Sequence, residues 1–212
     1  MMKNQKAKLL LSSIITLIPI PIGLFFWNKL PEQVATHWDF NGVPNGWSSK
    51  EFAVFGLPLF LLAVHWICII GTKADPKAAN HPEKIMNLVF WTCPVVSLFC
   101  NGSVYAEALG YPVSINNFAA ILVGITFIFI GNYLPKCPHN YTVGIKIPWT
   151  LNSEENWNQT HRFAGPVWVI CGLLFMVFTF LRCQILSVIL IFAATLVPMI
   201  YSYVYYKKHE NK

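Results

Sequence analysis

Side chains able to bind metal ions or transfer protons are concentrated in two segments, which we call loop 1 (residues 28–51) and loop 4 (residues 134–162). Loop 1 contains His37 and Asp39 on either side of Trp38. In an extended segment alternate residues face the same way, so this imidazole and carboxylate could together bind a metal ion or a peptide. Because no third ligand lies nearby, we favour a structural role, with His37 bonded to a backbone carbonyl and Asp39 to a turn amide.

Loop 4 contains two groups of residues that could form an enzyme site, and the spacing of neither fits. The paired Glu154–Glu155 followed by Arg162 resembles the glutamate motif of intramembrane proteases, but Gln159 stands where that motif needs arginine. A zinc site from Cys137–His139 and His161 is conceivable, yet Cys-Pro-His is poor ligand spacing. We therefore predict no enzyme activity, no metal site and no cofactor.

Six apolar runs must position these two loops. Hydrophobic residues make up 55% of the 212 residues and charged residues only 11%, whereas soluble domains carry roughly a quarter charged residues. A helix needs about 20 apolar residues to cross the hydrocarbon core of a membrane. We predict an all-α integral membrane protein with six transmembrane helices. The predicted spans are Leu9–Trp27, Phe52–Gly71, Ile85–Tyr105, Phe118–Tyr133, Phe163–Leu181 and Ile185–Tyr203.

Two of these spans have features of their own. The first has an apolar stretch too long for a signal peptide, and no small-x-small cleavage site follows Phe26, so we expect a retained helix. Pro19 and Pro21 each remove a backbone donor and should bend it. The fourth span is the shortest, but it can lengthen because no charge lies between Ala108 and Pro135.

The basic residues predict the orientation. Only Lys29, Lys50 and Arg182 of the 15 Lys and Arg residues lie on one side of the predicted spans, and the other twelve lie on the opposite side. Cytoplasmic loops are enriched in Lys and Arg, so both termini and loop 4 are predicted to be cytoplasmic and loop 1 extracytoplasmic. The net charge of +6 lies at the edges of apolar runs rather than in one patch, which argues against binding to nucleic acid.

His65 is the exception to a neutral span interior. Transporters coupled to ions usually keep an ionised group near the midplane, and no Asp, Glu, Lys or Arg lies deep within a predicted span. His65 could bind a proton or a ligand, although a hydrogen bond to a neighbouring helix is the commoner reason for such a residue. The sequence leaves its role open.

Both loops are predicted to be ordered. Loop 1 places aromatic residues among the turn residues Asn41–Gly42 and Pro44–Gly46, which indicates a compact cap with two tight turns. In loop 4, Asn152 and Glu155 form a capping-box pattern, so a helix is predicted to start there and to continue into the fifth span.

One face of that helix is predicted to contain four residues at helical spacing. They are Trp157, His161, Gly165 and Trp168. Arg162 lies beside it and has two interpretations, a side chain that extends to the membrane surface without further function, or a residue that binds a carboxylate or a lipid phosphate.

Two motifs in and after loop 4 resemble the SdpI-type immunity proteins. They are Gly144-Ile-Lys-Ile-Pro-Trp-Thr-Leu151 and Trp157-Asn-Gln-Thr-His-Arg-Phe-Ala-Gly165. Loop 1 resembles the membrane domain of unknown function that often precedes that family, through Leu30-Pro31, His37-Trp38 and Asn41-Gly42. Lys146 departs from the pattern, in which arginine is expected, and loses bidentate recognition.

The resemblance covers residues 10–205, nearly the whole chain. The length of the chain allows one domain, and we predict a single six-helix membrane domain over residues 1–212, in which residues 9–71 form an N-terminal helical hairpin and residues 115–203 form the SdpI-like region. The resemblance implies the membrane of a Gram-positive bacterium as the location.

The resemblance implies a function that the residues alone do not. Members of the family protect a bacterium against a secreted, membrane-active killing peptide, and the family also includes a receptor that holds a cytosolic repressor at the membrane. We expect a peptide toxin, membrane lipids and a repressor as partners. The residues expected to face the toxin are His37, Trp38 and Asp39. Those expected to bind the cytosolic partner or to fix loop 4 are Lys146, Trp149, Thr150, Trp157, Thr160, His161 and Arg162.

A transporter is the alternative interpretation. Leu30-Pro31 before His37 and Leu134-Pro135 before His139 suggest a three-plus-three repeat. With an odd number of spans in each half, the halves would be inverted, as they are in many transporters.

Overall fold

The computed structural model describes residues 2–39, 41–77 and 83–209. The chain is 75% helical, and within the described ranges six helices are long and apolar enough to cross a membrane. The predicted fold class is therefore confirmed for the six spans. The orientation of the termini is not tested by the coordinates and stays a prediction.

The elements follow one another in this order. They are α1 (Met2–Leu17), α2 (Pro19–Phe25), β1 (Gln33–Trp38), β2 (Pro44–Ser49), a π-helical turn (Phe52–Gly56), α3 (Leu57–Lys73), α4 (Glu83–Ala108), α5 (Ile115–Tyr133), a 3-10 turn (Leu134–Lys136), α6 (Pro148–Asn152), α7 (Glu154–Phe180) and α8 (Gln184–His209).

The spans agree with the apolar runs and refine their ends. The first span is interrupted at Ile18, between α1 and α2 and directly before Pro19; the bend expected from Pro19 and Pro21 stays a prediction. The fourth begins at Ile115, three residues earlier than predicted, and so gains the expected length. The fifth span is the C-terminal part of α7, a helix that begins at Glu154 within loop 4.

The chain divides into two compact units. Unit 1 comprises Met1–Gly71 and Pro82–Phe118, and unit 2 comprises Thr72–His81 and Ala119–Lys212. The prediction of a single membrane domain stays a prediction.

Loop 1 forms an antiparallel β-hairpin in unit 1, from strands β1 and β2. The compact cap is present, but its strands are a feature that the sequence analysis missed. Val34 on β1 is 1% exposed and belongs to one apolar cluster with Leu30, Val54 and Tyr105. The hairpin is therefore attached to the helices by burial of apolar side chains, the main driving force of folding.

Four glycines bring α5 and α7 together in unit 2. A Cβ atom at Gly131 would lie 2.7 Å from the carbonyl oxygen of Gly165, and one at Gly124 would lie 2.9 Å from that of Gly172. Small residues let helix backbones approach closely in membranes, where packing and weak contacts replace the hydrophobic effect between helices. We call this contact the glycine seam, and its glycines recur every seven residues on both helices.

The glycine seam gives a first prediction. In Gly131→Ala the new methyl group would meet backbone atoms that cannot rotate away, so the helices must separate, at an expected cost of about 1–3 kcal/mol of unfolding free energy. Thermal unfolding in detergent micelles measures this as a lower midpoint.

Gly102→Ala on α4 is the matched control. No described atom lies within 4 Å of a Cβ placed at Gly102, and alanine forms helices better than glycine by about 1 kcal/mol. Its midpoint should stay equal or rise. Equal midpoints for the two variants would contradict close packing at the glycine seam.

A natural cysteine tests the predicted orientation. Cys183 lies between the fifth and sixth spans and is exposed, whereas Cys68 and Cys100, the other exposed cysteines of the described residues, lie within spans. With both termini cytoplasmic, a membrane-impermeant maleimide should label intact cells at Cys183, and Cys183→Ser should abolish that label. Labelling only after permeabilisation would reverse the topology.

Candidate functional site

His161 is the centre of the ordered part of loop 4. It is 1% exposed, and its two ring nitrogens make two different hydrogen bonds. The backbone N–H of Ile145 donates to Nε2 over 2.9 Å, so Nε2 must carry a lone pair. Nδ1 then carries the proton of the neutral ring and donates to the carbonyl oxygen of Trp157 over 2.8 Å. His161 is thereby fixed in the Nδ1–H tautomer.

The ring of Trp157 stacks on His161, and both require a glycine opposite them. The two ring centroids are 4.0 Å apart with an interplanar angle of 22°. Gly144 has φ of +129°, and a Cβ at this position would lie 2.8 Å from the Trp157 ring. Only glycine combines that backbone conformation with the available space. We call Gly144, Ile145, Trp157 and His161 the His161 cluster.

A buried asparagine shapes the preceding turn. Asn140 is 0% exposed. Its side-chain oxygen accepts from the backbone N–H groups of Thr142 and Val143, at 2.9 Å and 2.7 Å, and its amide nitrogen donates to the carbonyl oxygens of Pro138 and Val143, both at 2.8 Å. One side chain thus replaces the backbone pairing that this irregular segment lacks.

The turn also surrounds a cysteine. The indole N–H of Trp157 donates to the carbonyl oxygen of Cys137 over 2.8 Å. Burial raises the pKa of the Cys137 thiol to about 11, so it is protonated at neutral pH and a poor nucleophile. Its role is structural.

Asp75 connects the segment before α4 to loop 4 within unit 2. This carboxylate is 6% exposed. It accepts from the backbone N–H of Tyr141 at 2.9 Å and from the hydroxyl of Thr142 at 2.8 Å. The backbone N–H of Lys77 donates to its other oxygen over 2.8 Å. Asp75 was not among the predicted site residues, and no local pattern could have identified it, because its partners in loop 4 lie more than 60 residues away in the chain.

Two further predicted residues are buried and bonded near the membrane. Thr150 donates to the carbonyl oxygen of Ile145 over 2.7 Å. Thr160 donates to the side-chain oxygen of Asn156 over 3.0 Å, and Ser202 on α8 donates to the same oxygen over 2.6 Å. The bond from Thr150 closes the turn before α6, and the bond from Ser202 attaches α8 to α7.

The start of α7 differs from the prediction by one residue. The N-cap is Ser153, whose hydroxyl accepts from the backbone N–H of Asn156 over 3.1 Å. Asn152 instead ends α6, so the predicted capping box was wrong. The short helix α6 is followed directly by the long helix α7. At their junction the hydroxyl of Ser153 accepts from a free backbone N–H as well as an asparagine side chain would.

Three predicted residues remain at the surface of loop 4. Arg162 and Lys146 are exposed, and Trp149 is half-buried. Lys146 donates to the carbonyl oxygen of Thr142 over 2.8 Å, whereas Arg162 makes no hydrogen bond or ion pair within residues 2–39, 41–77 and 83–209. A cavity of about 430 Å³ opens beside Trp149, and its walls are Pro148, Trp149, Asn152, Ser153 and Tyr206.

The predicted residues of loop 1 serve the hairpin. Asp39 accepts from the backbone N–H groups of Asn41 and Val43, both at 2.8 Å, as the turn-amide interpretation expects. His37 is bonded to the side chain of Asn45 rather than to a backbone carbonyl. Trp38 packs against the apolar cluster of unit 1.

Among the described aromatic residues of the hairpin, the most exposed one was not a predicted site residue. Trp47 on β2 is 58% exposed, and its burial could not be read from the sequence because the strands were missed. Within the described residues, no group of three His, Cys, Asp or Glu could hold a metal ion.

The comparisons with known proteins bear on both loops. Residues 136–202 match the model of the SdpI/YfhL protein family, and residues 14–62 match a domain of unknown function (DUF1648). The chain is 27% identical to the Immunity protein SdpI of Bacillus subtilis (strain 168) over 204 residues, which are 95% of this chain and 97% of that protein. The resemblance to the SdpI-type family is confirmed. No solved structure matches the chain significantly.

The segment that matches the SdpI/YfhL family contains the buried polar side chains of loop 4. It begins at Lys136 and so includes Asn140, the His161 cluster and the first turns of α7. Asp75 lies outside it, although its carboxylate fixes two residues inside it. With six apolar helices and this similarity, the chain is a multi-pass bacterial membrane protein.

Gly144 provides the prediction for this site. Gly144→Ala should displace Trp157 and His161, and the positive φ adds roughly 1–3 kcal/mol of strain. Loop 4 should open, and Cys137 should become reactive. Alkylation of Cys137 by N-ethylmaleimide at pH 8, followed by mass spectrometry in a Cys183→Ser background, measures this.

Gly110→Ala is the control for a substitution at a positive φ outside loop 4. Gly110 also has a positive φ, +81°, but no described atom lies within 4 Å of a Cβ there. This variant should leave Cys137 protected. Fast alkylation of Cys137 in the unsubstituted chain would contradict the buried His161 cluster.

Proposed function

We propose that this protein is an immunity protein, which protects a bacterium against a secreted, membrane-active peptide. The observation that carries the proposal is the similarity to the Immunity protein SdpI, which extends over 95% of this chain and 97% of that protein. A match of this extent includes both loops and all six spans. It therefore supports a shared activity rather than a shared segment, and it favours a binding protein over an enzyme.

The hairpin of unit 1 is the proposed toxin-facing surface. His37 and Asp39 hold the hairpin through side-chain bonds, and Trp38 packs beneath it. These three residues therefore contribute by fixing the shape of the hairpin. Its exposed surface includes the aromatic ring of Trp47 and the apolar side chain of Val43. Exposed aromatic groups suit a membrane-active peptide, because such groups bind both apolar side chains and the lipid interface.

Loop 4 is the proposed site for a cytosolic partner such as a repressor. Its buried residues Thr150, Trp157, Thr160 and His161 fix the loop. The surface residues Lys146, Trp149 and Arg162 are then the candidates for contact with a partner. Arginine and tryptophan are enriched at the energetic centres of protein interfaces.

Survival of toxin-sensitive bacteria tests the immunity function. Cells that express this chain should survive the peptide encoded beside its gene, and cells with an empty vector should not. Trp47→Ala should reduce protection at equal membrane abundance, because it removes an exposed ring without disturbing the apolar cluster. Unchanged killing at good expression would contradict immunity to that peptide.

Arg162→Ala distinguishes the two surfaces. It should leave survival intact and abolish toxin-dependent retention of the partner at the membrane, which fractionation of the cells measures. Arg162→Lys is the matched control because it keeps the charge but loses the planar fork. Loss of survival with Arg162→Ala would place the protective contact in loop 4.

The transporter alternative receives no support from the described spans. His65 is bonded to Ser12 on a neighbouring helix, which is the contact that the commoner interpretation of this histidine expects. The inverted repeat stays a prediction.

A further inference from the structure

A track of polar side chains lies inside the membrane-spanning part of unit 1. Its members are Ser12 and Thr16 on α1, His65 on α3, and Ser97 and Asn101 on α4, and each is 0% exposed. Polar groups at such depth are rare, because lipid offers no hydrogen-bond partners. The immunity function proposed above does not use this track.

At one end of the track, hydrogen bonds determine the tautomer of His65. The hydroxyl of Ser12 donates its single proton to the carbonyl oxygen of Leu9 over 3.0 Å. Its oxygen is also 2.8 Å from Nε2 of His65, so in that contact Nε2–H is the donor. Nδ1 of the neutral ring then carries a lone pair and can only accept a hydrogen bond.

Hydrogen bonds from side chains to backbone carbonyl oxygens connect Ser12 to Asn101 at the other end of the track. Thr16 donates to the carbonyl oxygen of Ser12, Ser97 donates to that of Thr16, and the amide nitrogen of Asn101 donates to that of Ser97, each over 2.8 Å. The side-chain oxygen of Asn101 remains, and it too can only accept.

Neither of these two acceptors has a hydrogen-bond partner among the described residues. Both belong to side chains that are fully buried, so a lipid head group or a side chain of another protein could not reach them without opening the unit. The matching ligand is a small molecule that donates hydrogen bonds. Water fits, since buried waters typically bond to polar groups that the protein itself leaves unpaired.

We propose that unit 1 binds water molecules inside its membrane-spanning part, one at Nδ1 of His65 and one at the side-chain oxygen of Asn101. Each water donates to an acceptor that the helices leave unpaired. The track is then a hydrated site rather than a dry polar contact.

Magic-angle-spinning NMR of the full chain in liposomes tests the proposal. Nitrogen-15 labelling of histidine reports the tautomer, and polarisation transfer from water reports contact with bound water. Nδ1 of His65 should be unprotonated, with its resonance shifted upfield by an accepted hydrogen bond, and the ring should receive polarisation from water. A His65→Gln spectrum assigns these signals by their loss.

The chain contains matched internal controls. His161 should show the opposite tautomer, with Nδ1 protonated and Nε2 accepting from Ile145. For the amides, Asn156 is equally buried but has its oxygen bonded to Thr160 and Ser202. Water polarisation should therefore build up faster at the side chain of Asn101 than at that of Asn156.

Three results would overturn the proposal. The first is a His65 ring with Nδ1 protonated. The second is an unprotonated Nδ1 whose resonance shows no accepted hydrogen bond. The third is water transfer to Asn101 no faster than to Asn156.

Discussion

Lipid forms no hydrogen bonds, so a polar group in the spans needs either a partner within the protein or a bound water molecule. This constraint explains why the buried polar side chains of each unit are arranged in bonded sets rather than scattered. In unit 1, the hydroxyl of Ser12 is bonded both to His65 and to the carbonyl oxygen of Leu9 in its own helix. In unit 2, the oxygen of Asn156 accepts from two hydroxyl groups on two helices. Such bonds fix the relative rotation of the helices, which apolar packing alone specifies weakly.

Burial within the protein imposes a similar constraint on loop 4, where the backbone is irregular and partly shielded from water. Asn140, His161 and Asp75 each pair with backbone N–H groups that no helix or sheet supplies with a partner. An unpaired buried amide costs about 1–3 kcal/mol, so these three side chains decide whether the loop is ordered. The neutral ring of His161 suits this position, because a cation there could not accept from Ile145.

The sequence predicted the spans well because lipid imposes a simple rule on length and charge. It also indicated where the first span is interrupted, because Pro19 and Pro21 lack a backbone donor. It failed where pairing is long-range. Strand β2 reads Pro-Asn-Gly-Trp-Ser-Ser, a composition typical of turns, and only pairing with β1 makes it extended. Asp75 carries no local signal. Helical spacing correctly grouped Trp157 with His161, but it could not indicate that this pair faces Gly144.

The glycine seam also affects the entropy of the chain. Loop 4 leaves α5 just after Gly131 and enters α7 before Gly165, two residues whose backbones are in contact. The ends of the loop are therefore held close before any bond inside it forms. Bringing the ends of a flexible segment together costs conformational entropy. That cost is already met when the ends are held close by other contacts. Two glycines within the membrane thus lower the cost of ordering a segment that lies outside it.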